Sequence, residues 1–322
     1  MFKTCEILGI SNRVEQEGSD EKEKKSSEKE TENCSNTNFF QTTDGLMSKE
    51  SGGQVMFDGH SIFYNSPGYT VKYDVSSKQE SPVINIQMKC ITNAGEDVYG
   101  AISMLNGNGD MKDYLIRASK TGENSEIFYK TECDNITSVL FDGVDVYYTN
   151  ESHSIYTIDN KEAVAWKSMN KKADYPYLIG IFDGSIYLTD GTKIESVSIN
   201  NKSVRTQYSG LCSRSQMPIL SGKYIYMFSD FTKSEIIRFD VESGDTQTIV
   251  DKAFRKNVNS FTITGGYIFL DCEGTVYYKN TIDEGAPKAY KEFPGIAACD
   301  NALFAIKGGK LDFLYINWLI AE

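Results

Sequence analysis

From Val55 onward the chain repeats one local phrase: an apolar run, a two-residue turn that usually contains Gly, then an aromatic-rich run that often ends in Asp, Asn or Thr. The clearest copies turn at Asp58-Gly59, Asp142-Gly143 and Asp183-Gly184. Weaker ones turn at Ser221-Gly222, Gly265-Gly266 and Asp300-Asn301, and the most degenerate copy carries Gly95. These seven marks lie 35 to 48 residues apart. Short runs rich in Val, Ile, Tyr and Phe between turn residues predict strands. A repeat of about 40 residues built only from strands is the mark of a β-propeller, because one four-stranded sheet cannot bury both of its faces alone. The expected fold is therefore all-β, with seven four-stranded blades. A six-bladed ring with a divergent insert around residues 90–135 is the alternative.

One unit is legible strand by strand. Phe261–Thr264, Tyr267–Cys272, Thr275–Lys279 and Pro287–Phe293 predict four strands, the first two joined through Gly265-Gly266. The turn pairs have a steric cause, since a type I′ turn needs positive φ at both central residues and Asp, Asn and Gly tolerate it best. The last unit is short: only six residues follow Leu311–Ile316. An open ring would expose strand edges. Residues 38–43 (Asn-Phe-Phe-Gln-Thr-Thr) are therefore expected to pair with the final blade and close the circle.

Composition divides the chain in two. Within residues 1–37 the stretch from Arg13 to Asn36 includes the run Glu21-Lys-Glu-Lys-Lys-Ser-Ser-Glu-Lys-Glu30 and has almost nothing apolar, which predicts a disordered charged tether. Residues 38–322 form the propeller domain, with 20 Tyr and 17 Phe for its pleated surfaces. A net charge of −12 argues against a nucleic-acid partner, because phosphate binding needs a basic footprint. No apolar run is long enough to predict a membrane-spanning helix. Seven scattered cysteines without a Cys-x-x-Cys pair, and two histidines, exclude the familiar zinc spacings, so neither metal nor cofactor is expected. Cys90, Cys272 and Cys299 read as small buried hydrophobes.

The phrase Asp142-Gly143-Val-Asp-Val-Tyr147-Tyr148-Thr-Asn150, followed by Ser154-Ile-Tyr-Thr-Ile-Asp159, resembles a bacterial family of propellers related to the low-density-lipoprotein-receptor (YWTD-type) propellers. Phe57-Asp58-Gly59 with Val71–Asp74 carries the same likeness, which extends over about residues 53–317. No intact Tyr-Trp-Thr-Asp tetrad occurs; Tyr147-Tyr148-Thr149-Asn150 and Tyr187-Leu188-Thr189-Asp190 are the nearest departures. The resemblance implies an exported or surface-attached protein and brings no catalytic residue. Met1-Phe-Lys-Thr-Cys5 lacks the apolar core of a secretory signal, so either the true start lies upstream or the chain stays in the cytoplasm.

In a propeller, the loops from second to third strand and from outer strand to next inner strand gather at one end. Those loops offer Tyr69, Asp110, His153, Tyr175, Tyr177, Arg214, Asp230, Phe231 and Arg255 as candidate ligand-binding residues. Aromatics beside Arg and Asp suit a protein, peptide or glycan, and a monomer is expected. Asn106-Gly-Asn-Gly-Asp110 imitates the start of a calcium loop, but Met111 and Arg117 replace the Gly and Glu that such a loop needs. Most Asp residues read as turn formers that bond the local backbone. The reading that follows is a non-enzymatic binding propeller; a carbohydrate-active hydrolase or lyase with its site over the channel is the alternative.

Overall fold

The computed structural model of the protein describes residues 39–41, 54–57, 60–129, 136–150, 154–159, 162–168, 177–210, 218–230, 232–233, 235–293, 297–299, 302–307 and 310–315. The expected tether, residues 317–322, and His153, Tyr175, Arg214 and Phe231 lie outside them. The described strands form seven sheets, each a meander of antiparallel neighbours. The first sheet holds β1 (Phe39–Gln41), β2 (Gln54–Phe57), β3 (Ser61–Ser66), β4 (Tyr69–Asp74) and β5 (Gln79–Ile84). The second holds β6 (Lys89–Ala94), β7 (Asp97–Leu105), β8 (Met111–Ser119) and β9 (Ser125–Tyr129). The third holds β10 (Ile136–Phe141), β11 (Val146–Asn150), β12 (Ser154–Asp159) and β13 (Glu162–Ser168). The fourth holds β14 (Tyr177–Phe182), β15 (Ser185–Thr189), β16 (Lys193–Ser198) and β17 (Val204–Ser209). The fifth holds β18 (Ile219–Ser221), β19 (Tyr224–Phe228), β20 (Ile236–Asp240) and β21 (Thr246–Val250). The sixth holds β22 (Ser260–Thr264), β23 (Tyr267–Cys272), β24 (Thr275–Asn280) and β25 (Lys288–Glu292). The seventh, with three described strands, holds β26 (Ala297–Cys299), β27 (Ala302–Lys307) and β28 (Lys310–Tyr315). Residues 89–129 thus make a sheet of their own rather than an insert.

The period-2 alternation of each strand explains the ring. Val139 on β10 packs on Tyr99 and Leu115 of the second sheet, while its neighbour Leu140 packs toward Leu178 and Ile186 of the fourth. Tyr148 and Tyr147 divide in the same way. Both faces of a sheet are therefore buried, and β11 and β22 are buried at every position. Such apolar clusters join first to second, second to third, and on through fifth to sixth. The last cluster closes the wheel: Ile62, Tyr64 and Val71 of the first sheet meet Leu303, Phe304 and Leu314 of the seventh and Phe269 of the sixth. The rings of Tyr73 and Phe313 lie 5.1 Å apart across this seam. This is a β-propeller.

The amino-terminal strand departs from expectation. β1 pairs with β2 (Phe39↔Met56, Gln41↔Gln54) and lies near β18 and β26, which places it in the channel on the first sheet and not in the seventh. The seam is sealed by side chains, and the inner edge of β2 supplied the unpaired backbone that the segment satisfies.

The Asp-Gly turn takes the expected form at Asp183 (φ 44°) and Gly184 (φ 63°), between paired Phe182 and Ser185. Asp142 adds a second device, accepting from the backbone N–H of Val144 and Asp145 through Oδ1 and from the Tyr147 hydroxyl through Oδ2 at 2.7 Å.

Phe304→Ala is expected to lower unfolding free energy by about 3–5 kcal/mol, because it empties the closing cluster. Deletion of residues 1–44 should cost much less. Urea denaturation of the two variants checks the order, and a deletion as costly as the truncated ring would show that β1 seals the wheel.

Candidate functional site

Antiparallel order sends every connection to one of two ends. The loops β3–β4, β7–β8, β19–β20 and β21–β22 share one end, and so do the described candidates Tyr69, Asp110, Tyr177, Asp230 and Arg255. These residues come from four sheets and one connection, so they lie around a rim. Tyr69 is 48% exposed beside the Pro67-Gly68 turn. Tyr177 is half-buried at the start of β14.

The Asp110 loop is built by Asn106. Its Oδ1 accepts the N–H groups of Asn108 and Asp110, each at 2.9 Å, and the Asn106 N–H donates to the Asp110 carbonyl at 2.7 Å. The asparagine spends its oxygen on the turn, which is the glycine-rich hairpin that the missing calcium-loop residues imply. Among the described residues no group of three His, Cys, Asp or Glu is placed to hold a metal ion.

Leu105 and Met111 were missed in the sequence because each ends a strand and reads as core. They close the same hairpin as direct pairing partners, 67% and 59% exposed. β7 and β8 have nine residues each, against five or six for the strands of the fourth sheet's first three. Three extra residues at about 3.3 Å per residue lift the hairpin roughly 10 Å beyond its neighbours. Of the five large hydrophobics exposed among the described residues, Tyr69, Leu105 and Met111 lie at this end, on adjacent sheets.

Across the rim, Asp230 Oδ1 accepts the N–H and hydroxyl of Thr232 at 2.9 and 2.6 Å. Its Oδ2 lies 3.7 Å from the Lys252 ammonium, which ties this loop to the 3₁₀ turn Lys252–Phe254 and so to exposed Arg255 at φ 51°. Lys233 donates to the Asn259 carbonyl at 2.9 Å, its ammonium 5.8 Å from the Phe228 ring, and burial pulls its pKa down.

The buried carboxylates are engaged by neighbours. Asp113 meets the Lys89 ammonium at 2.6 Å, the Ser103 hydroxyl at 2.7 Å and the Ile136 N–H at 2.5 Å, which ties the second sheet to the third. Asp190 accepts from the Thr192 N–H and hydroxyl and the Lys193 N–H, and Asp271 accepts the Gly274 N–H. The aspartates that end β-strands in the repeat therefore shape the turns at this end. Cys90 and Cys272 are both buried, as their sequence positions imply. Burial, then the Asp271 charge, pushes the Cys272 thiol up to about 12.

A scan of known protein families found no match, and no curated protein matches the chain. Solved structures match in fold. The computationally designed Ika8 protein aligns over 82% of this chain and 84% of its own, at 9% identity and a TM-score of 0.56. A Mycobacterium tuberculosis puromycin-hydrolyzing peptidase aligns over 85% of this chain at 10% identity and a TM-score of 0.54; the aligned part is 51% of the peptidase. A chain of a nidogen/laminin complex aligns over 59% of this chain and 75% of its own, at 15% identity and a TM-score of 0.45. The first two likenesses show the propeller fold alone.

Two outcomes test the local chemistry. Asp113→Ala leaves the Lys89 ammonium beside the seam without its buried partner, so a loss of about 3–5 kcal/mol is expected in urea melts, while Asp110→Ala, exposed in its loop, should change little. A thiol whose folded pKa is raised contributes stability that is complete below about pH 9 and is lost as pH rises toward 12. Urea midpoints measured at pH 8 and near pH 11 should thus fall, and fall less in Cys272→Ala.

Proposed function

We propose that the protein is a non-enzymatic binding propeller that engages a protein or peptide partner through its loop-rich end. The observation that carries this reading is the projecting β7–β8 hairpin, which holds Leu105 and Met111 in water beside exposed Tyr69. Exposed apolar anchors clustered at one end mark an interaction surface, since scattered ones would need no explanation. Charged Asp110, Asp230 and Arg255 supply the polar rim that fixes orientation. A glycan is the weaker fit here, because the anchors are aliphatic. The catalytic alternative is disfavoured by the commitments of Asp113, Asp190 and Asp271 to neighbouring donors.

The YWTD-like repeat phrase supports placing the protein outside the cytoplasm, attached through its charged amino-terminal segment, as a monomer. Among the described residues no helix is long and apolar enough to cross a membrane.

Leu105→Ser/Met111→Ser is expected to keep the thermal midpoint of the parent and to lose at least about tenfold in affinity for partners recovered by cross-linking pull-down on the full chain. Retention of those partners by the double variant would move the site elsewhere.

A further inference from the structure

The opposite end of the wheel carries a groove of about 530 Å³ between the fifth and sixth sheets. It is walled by Ser221, Tyr224, Tyr226 and Arg238 on one side and by Thr264–Gly266 and Thr281-Ile282 on the other. Register explains its origin. Ile219, Tyr226, Arg238 and Gln247 pair across the fifth sheet in one row, on the face turned to the sixth. The fourth sheet carries Ser196 and the sixth Tyr278 at the position matching Arg238, and Arg117 of the second sheet pairs there with Glu126. Opposite Arg238, the β22–β23 turn is Gly265-Gly266, whereas the fourth sheet has Asp183-Gly184 in the same two positions. The side chain that would reach into the gap is missing.

Arg238 is held ready. Its guanidinium lies 4.4 Å from the Tyr224 ring centroid, and one Nη2 N–H donates to Gln247 Oε1 at 2.5 Å. It is the one charged residue among those lining the groove, and no carboxylate among the described residues pairs with it. The nearby acids Asp240 and Glu242 are taken by Lys223, at 3.0 and 2.9 Å. In a chain of net charge −12 this is an unneutralised, oriented cation. A planar guanidinium fixed on an aromatic face matches a carboxylate, while a single cation is too little for a phosphate dianion. The remaining lining is the Tyr224 ring, the buried Tyr226, Ser221, Thr264, Thr281, whose hydroxyl donates to the Gly266 carbonyl at 2.9 Å, and one exposed aliphatic, Ile282. Aromatic faces with short hydroxyls suit a ring that bears both C–H faces and hydroxyl groups.

We propose that this groove binds a sugar acid of one or two rings, its carboxylate on Arg238 and its ring beside Tyr224 and exposed Ile282. The site is independent of the loop-rich end and stands or falls without it.

Full-chain protein titrated with D-glucuronate, D-glucose and trialanine, followed by saturation-transfer NMR and calorimetry, tests the assignment. Glucuronate should bind, glucose at least about tenfold more weakly for want of the charged hydrogen bond, and trialanine, which has a carboxylate but no hydroxylated ring, more weakly than glucuronate. Arg238→Gln should lose glucuronate. Gly265→Asp should lose it too with the fold intact, because Asp183 already occupies this turn position at φ 44° and the new carboxylate would satisfy the arginine. Leu105→Ser/Met111→Ser should leave glucuronate binding unchanged. The proposal is overturned if glucuronate does not bind, if it binds both groove variants as it binds the parent, or if trialanine matches it. Should Arg238→Gln unfold, Gly265→Asp decides alone.

Discussion

The burial of both faces of every sheet by its neighbours governs the rest of the structure. A sheet with side chains alternating up and down would ordinarily keep one face in water. Here Leu140 and Val139, or Tyr147 and Tyr148, serve different seams from adjacent positions. No sheet can then be stable without two partners, and a row of such sheets has no end except by meeting itself. The cluster of Ile62, Tyr64, Phe269, Leu303 and Phe304 is where it does. The seam binds the most distant parts of the described chain, so its contacts are the ones whose loop-closure cost is largest.

The two proposed binding surfaces are what this packing leaves over. The walls of the wheel are consumed by burial, and the two ends are not. One end presents loops shaped by aspartate and asparagine turns, with the Leu105–Met111 hairpin raised above them. The other presents short turns, and a cleft opens where the fifth seam carries Arg238 and the sixth sheet a side-chain-free turn. The two surfaces differ in chemistry: aliphatic anchors with a charged rim in one case, an oriented cation among rings and hydroxyls in the other.

Much of the architecture was legible because it is periodic. Seven turn marks and the apolar runs between them correspond to sheets, and the positive φ of Asp183 and Gly184 is what their pairing in sequence implies. Pairing across long distances was less legible. Phe39-Phe40-Gln41 is too short to specify a partner edge, and hydrogen bonding to β2 satisfies its backbone as well as the seventh sheet would. Exposed Leu105 and Met111 were hidden because an apolar residue closing a strand looks like core until the length of the hairpin is known. Arg238 was hidden for the reverse reason: only register shows that its row faces another sheet. Gly265 acquired meaning only by comparison with Asp183 in three dimensions.

Amide hydrogen exchange followed by mass spectrometry tests the closed wheel most directly. The account expects peptides from β3 and β4 and from β27 and β28 to share the slow, global exchange of β11 and β22, because the seam makes the ends part of one cooperative unit. Fast, independent exchange of the first and seventh sheets, with the middle sheets still protected, would show an open array and contradict it.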